Sequence, residues 1–151
     1  MSTTFVYVTY IRTTPQKLWD ALTKPEFIKQ YWFNMTQQSE WKTGASWKML
    51  FSDGRVADVG EVLEIDPPRR LVLKWANEFR PELKDEGPTR CVYDLEQDGD
   101  VMRLTITHTS ERDGAKVIEA VSGGWPRVLS SLKSLLETGK PMPSSHNRPA
   151  T

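Results

Sequence analysis

The stretch Gly123-Gly124-Trp125-Pro126-Arg127-Val128-Leu129-Ser130-Ser131-Leu132-Lys133-Ser134-Leu135-Leu136-Glu137-Thr138-Gly139 decides how this chain is read. Trp125, Val128/Leu129, Leu132 and Leu135/Leu136 recur at the spacing of one buried helix face. Val117/Ile118 and Val121 carry the pattern back, so a helix is expected from about Asp113 to Glu137. Gly123-Gly124 and Pro126 cut across it, because glycine is a weak helix former and proline lacks an amide donor. They predict either a kink at this point or a start of the regular helix near Trp125. Gly139 suits the C-cap, and residues 141–151 read as a proline-rich, flexible tail after a single domain over 1–140.

Upstream of that helix the period changes from helical to alternating. Phe5/Tyr7/Thr9/Ile11 alternate with Val6/Val8/Tyr10, which predicts a strand over Phe5–Arg12. Thr14-Pro15 then starts a short helix, with a hydroxyl cap and proline at its first position, and Pro25 opens another. Further strands are expected over Gln37–Trp41, Ala45–Phe51, Val56–Ile65, around Leu71–Trp75, over Thr89–Gln97 and around Met102–His108. Gly60 reads as a bend or bulge, and Ala76–Pro88 as a charged loop. The order β-α-α-β-β-β-β-β-β-α, joined by tight turns, gives an α+β fold. Its curved antiparallel sheet grips one long C-terminal helix, with room for a cavity between them.

Bulk composition limits the function classes. The 151 residues hold 20 lysines and arginines against 20 aspartates and glutamates, so no net charge favours nucleic acid or an anionic membrane. No segment approaches the ~18 apolar residues of a membrane span. Residues Met1 to Phe5 show no basic or apolar leader, and a cytoplasmic location is expected. The single cysteine, Cys91, rules out an internal disulfide and a thiolate metal cluster. No metal or other cofactor is expected: His108 and His146 with Cys91 make no ligand set at workable spacing.

Six tryptophans must either fill the core or line something. The residues placed to line a cavity are Trp32, Phe33, Trp47, Met49, Phe51, Trp75, Phe79, Tyr93, Val121, Trp125 and Leu129, with His108 and Tyr93 as orienting polar groups. Trp75, Phe79 and Trp125 lie nearest the long loop and the helix irregularity, where a mouth would open. His108 is also the sole candidate general base outside the tail. Nothing supplies it with a nucleophile or an orienting partner at recognisable spacing, so no catalytic residue is assigned. Glu61 and Glu64, three apart on one strand, face opposite sides unless a bulge intervenes.

Pro15-Gln16-Lys17-Leu18-Trp19-Asp20-Ala21-Leu22 with Pro25-Glu26 and Trp32 resembles the opening of the homologues of the heat-shock-protein-90 ATPase activator. Gly60-Glu61-Val62, Ile65-Asp66-Pro67-Pro68-Arg69-Arg70-Leu71, and Gly124-Trp125 with Leu129 and Leu132 strengthen the likeness, which covers roughly residues 5 to 140. That family belongs to the START-like, or birch-pollen-allergen-like, helix-grip superfamily. The resemblance implies a seven-stranded sheet around a hydrophobic cavity. Three functions follow from it: non-catalytic binding of an apolar small molecule or lipid, a co-chaperone interaction with a chaperone, or a cyclase- or hydrolase-type enzyme in the same cavity. Monomer and homodimer both stay open.

Overall fold

The alternation at the N-terminus becomes β1 (Thr3–Ile11), with Ile11 fully buried and Val6, Val8 and Tyr10 exposed on the outer face. The computed structural model describes residues 2–143, so the greater part of the 141–151 tail, with His146, lies outside the described residues. Thr14 caps α1 (Pro15–Thr23), its hydroxyl accepting from the Lys17 amide at 3.2 Å. α2 (Pro25–Tyr31) follows, again with proline in its first turn. Leu18, Trp19, Leu22, Ile28 and Tyr31 bury the inner sides of both helices. Tyr31 fixes the pair, donating its hydroxyl to the Ala21 carbonyl at 2.9 Å.

The remaining strands are β2 (Thr36–Ser39), β3 (Ser46–Leu50), β4 (Val56–Asp66), β5 (Arg70–Asn77), β6 (Thr89–Asp98) and β7 (Val101–Ser110). All pair antiparallel in the order β1-β7-β6-β5-β4-β3-β2, which sets the N-terminal strand against the last one. The inward rows are apolar as the alternation requires: Leu71, Leu73 and Trp75; Cys91, Tyr93 and Leu95; Met102, Leu104 and Ile106. Each such side chain contributes about 2 kcal/mol by leaving water.

Several boundaries depart from the sequence reading. The strand expected over Gln37–Trp41 ends at Ser39, because Trp41 takes a left-handed backbone (φ 53°) with its amide on the Ser39 hydroxyl. The expected loop Ala76–Pro88 loses Ala76 and Asn77 to β5 and holds a helical turn, α3 (Pro81–Lys84). β4 is irregular at Ala57 against β3, and bulges against β5 between Val62 and Glu64, not at Gly60. Its extra residue returns Glu64 to the outer register, opposite Val72, where it bonds Arg70 at 2.7 Å. Glu61, opposite Lys74, shares that face.

The C-terminal helix α4 (Lys116–Thr138) runs through Gly123, Gly124 and Pro126 without a break. Pro126 leaves the Ser122 carbonyl without its amide partner, at an intrinsic cost of about 3 kcal/mol. Burial of Trp125, Val128, Leu129 and Leu132 against the sheet offsets that loss, a tertiary term that local propensity does not register. Ala115 offers no capping side chain. Glu86 instead reaches across to accept from the Lys116 and Val117 amides at 2.9 and 3.0 Å.

Gly60 is required by close approach. A Cβ at this position would stand 1.7 Å from the Lys74 carbonyl oxygen, and Gly60 pairs with both Trp47 and Trp75, whose rings lie 4.5 Å apart. Gly60→Ala must open the β4–β5 ladder and is expected to lower stability by about 3 kcal/mol in chemical denaturation. A loss below about 1 kcal/mol would show that the strands yield freely.

Candidate functional site

Four elements build one cavity. Along α4, Val117, Val121, Gly124 and Val128 follow the helical repeat and present one stripe, with Trp125 beside it. The sheet answers with a cross-strand row, Met49–Asp58–Asn77, in which each residue pairs with the next. Trp32, Phe33 and Met35 close one side, and Phe51, Phe79, Arg80 and Leu83 the other. Phe33 holds a left-handed backbone (φ 56°), an uncommon state for an aromatic residue. The space, partly open to solvent, is about 300 Å³, at the lower end of cavities that hold a small molecule.

Eight of the residues singled out from sequence line this space: Trp32, Phe33, Met49, Phe51, Trp75, Phe79, Val121 and Trp125. Four stand behind it. Trp47 is fully buried beneath Trp75, and its indole N–H is taken by Gln37 at 2.9 Å. Tyr93 backs Trp125 edge-on at 5.9 Å, and Leu129 sits in the core.

His108 is also behind the lining, and its bonds define its role. The Trp125 indole donates to Nδ1 at 3.1 Å. An indole N–H can only donate, so Nδ1 carries no proton and Nε2 does. Nε2 then donates to Thr89 Oγ1 at 2.7 Å, and that hydroxyl donates to the Trp75 carbonyl at 3.2 Å. Every polar atom in this Trp125–His108–Thr89 series is satisfied with the imidazole neutral, and burial lowers its pKa from 6.5 to about 4. The orienting partner absent from the sequence pattern is therefore Trp125, some distance along the chain. His108 fastens α4 to the sheet and turns no nitrogen toward the cavity.

The buried polar groups that do face the cavity are Asp58 and Asn77, which sequence reasoning missed; Ser52 and Arg80 join them in the lining. Asp58 is 7 % exposed, and its Oδ1 accepts from the Asn77 amide at 3.3 Å. Burial pushes its pKa up from 3.8 to about 7, although donation from the Trp75 and Asn77 side chains pulls the other way. A signal existed: Asp58 shares the inward register of Gly60 and Val62, where an acid is out of place. A carboxyl group poised near neutrality can exchange a proton or hold a polar group of a guest. Among the described residues no group of three histidine, cysteine or acidic side chains stands ready for a metal, and no helix is long and apolar enough to cross a membrane.

Residues 12–137 match the family described as Activator of Hsp90 ATPase homolog 1-like protein. The chain belongs to that family. The matched span contains the whole cavity lining, from Trp32 to Val128. Among solved structures, a Mesorhizobium loti protein superposes with a TM-score of 0.77 at 23% identity, over 89% of this chain and 97% of its own. The Aha1 dimer from Colwellia psychrerythraea, a solution structure, gives 0.72 at 21% identity, over 91% and 98%. A Plasmodium falciparum protein described as an HSP90 activator gives 0.70 at 18% identity, over 88% and 95%. At these identities the neighbours of this Hsp90-activator-homologue chain establish its helix-grip fold. No curated protein matches the sequence.

Two buried titratable groups, Asp58 and His108, act on stability in opposite senses. Folding raises the Asp58 pKa, so its contribution is complete below about 3.8 and is lost as pH climbs through about 7. Folding lowers the His108 pKa, so its contribution is complete above about 6.5 and is lost as pH falls through about 4. Asp58→Asn is therefore expected to stabilise the protein at about pH 8 by something on the order of 3 kcal/mol, and to gain nothing below about pH 4. Denaturant melts of both proteins across this range check it; parallel pH profiles would contradict the assignment.

Proposed function

We propose that this chain binds an apolar small molecule in the cavity between the sheet and α4, without catalysing its conversion. The observation that carries the reading is Gly124. A Cβ placed there meets nothing within 4 Å, so no neighbouring atom demands a glycine, although Gly124 lies on the cavity-facing stripe of the helix. Glycine in a helix interior costs about 1 kcal/mol relative to alanine. Here that cost leaves volume empty and admits no close packing. Trp32, Phe33, Met49, Phe51, Trp75, Phe79, Val121 and Trp125 supply the contact surface, and Asp58 with Asn77 the polar anchor.

Family membership favours a second reading, stimulation of a chaperone ATPase. One structural neighbour is described as an HSP90 activator, and the segment Ala76–Pro88, tied to α4 through Glu86, offers a docking edge. Faster ATP turnover by purified Hsp90 on addition of this protein would support that role, and an inert result at high concentration would remove it.

Gly124→Leu separates the two. It fills the cavity from a position with free space and replaces glycine by a good helix former. The variant is expected to melt no lower than the parent while losing about tenfold or more of its affinity for an apolar probe such as 4-phenylbutanol, followed by amide NMR. Parent and variant binding alike would overturn the cavity assignment.

A further inference from the structure

Asp58 occupies a place where a charge is costly and nothing nearby neutralises it. The nearby basic groups are paired with other acids: Arg80, in the lining itself, bonds Glu82 at 2.8 Å, and Lys84 from α3 meets Glu78 at 3.2 Å. Glu78, following Asn77 at the end of β5, acts on Asp58 with the same sign. The lining supplied by α4, by β3 and by the turn over 32–35 is uncharged. Of this set, Asp58 is the acid left without a basic partner. Its protein donors, Asn77 and Trp75, leave acceptor positions free on a carboxylate.

The walls around this carboxyl are aromatic. Trp32, Trp75 and Trp125 meet one another with ring centroids 5.6 to 6.5 Å apart, and Phe51 meets Phe79 at 4.9 Å. Aromatic faces attract cations, most strongly where water is excluded. A neutral alcohol would fill the acceptor positions but leave the buried charge uncompensated. An anion would face both Asp58 and Glu78. An ammonium group satisfies the acceptors, compensates the charge and lies against aromatic rings, while its hydrocarbon portion fills the apolar volume under α4.

We infer that the cavity selects an apolar organic amine, bound as its ammonium ion with Asp58 as counter-ion; this rests on the ligand-binding reading above. Ammonium binding favours the ionised carboxyl. Because burial holds Asp58 near a pKa of about 7, affinity rises with pH through neutrality and levels off until the amine loses its own proton near ~10.

Three probes that differ only in the head group test this: 4-phenylbutylamine, 4-phenylbutanol and 4-phenylbutyrate, titrated calorimetrically into the full chain at about pH 8.5 and about pH 5.5. At the higher pH the amine is expected to bind about tenfold tighter than the alcohol, with the carboxylate weakest. At the lower pH that advantage shrinks by about tenfold, and in Asp58→Asn it disappears at both. An alcohol that binds as tightly as the amine, or a preference that survives in Asp58→Asn or ignores pH, overturns the inference while leaving the cavity a ligand site. If none of the three probes binds, both readings fall. The pH comparison uses the unaltered protein and so does not depend on how the variant folds.

Discussion

The hydrogen-bonded chain from Trp125 through His108 and Thr89 to the Trp75 carbonyl is the constraint on which the rest of the structure depends. It crosses a gap that the backbone ladders cannot, between the long helix and the sheet. Its members are buried, so each donor lost would leave a desolvated partner at a cost of about 1 to 3 kcal/mol. The chain also fixes direction. Apolar packing alone would let α4 rotate or slide over the inner rows, whereas a bond from an indole to one imidazole nitrogen allows a single seating. The cavity exists because the helix is held at that seating with Gly124 facing open space.

Trp75 joins the two polar features of the interior. Its carbonyl ends the His108 chain, and its side chain donates toward Asp58. One face of this residue belongs to the packed core, against Trp47 and His108, and another to the ligand space. Burial keeps the imidazole on the packed side neutral, and both of its nitrogens are occupied. The carboxyl on the open side retains acceptor positions beyond its two donors. Burial acts on both groups; partnership distinguishes the one that holds structure from the one that can meet a guest.

Much of this was legible in the sequence. The alternation in Leu71, Leu73 and Trp75 or in Met102, Leu104 and Ile106 states which face is inward, and the two proline-led helices announce themselves at Thr14-Pro15 and Pro25. Resemblance to known relatives supplied the helix-grip topology. What escaped had non-local causes. The continuity of α4 through Gly123, Gly124 and Pro126 comes from burial against strands far away in sequence, and its first turn is capped by Glu86, which no local capping pattern predicts. Trp47, Tyr93, His108 and Leu129 carry the right chemistry for a lining, but register and helix phase set them one layer deeper. Asp58 escaped because its neighbours are valines, an alanine and a glycine, which form no polar motif around it.

The strand order places β1 beside β7 along their full lengths, from Thr3 opposite Ser110 to Ile11 opposite Met102. The same strand receives α4, with the Arg12 amide on Glu137 and Lys133 on the Tyr10 carbonyl. As the polypeptide is synthesised, its first strand therefore waits for a partner that emerges almost last, and the inward rows stay bare until α4 arrives to cover them. A chain stopped before Lys116 can pair its strands but presents their whole apolar concavity to water, the type of partly assembled species that associates with its own copies. The segment that shapes the binding space is thus also the one whose completion takes the nascent protein out of danger.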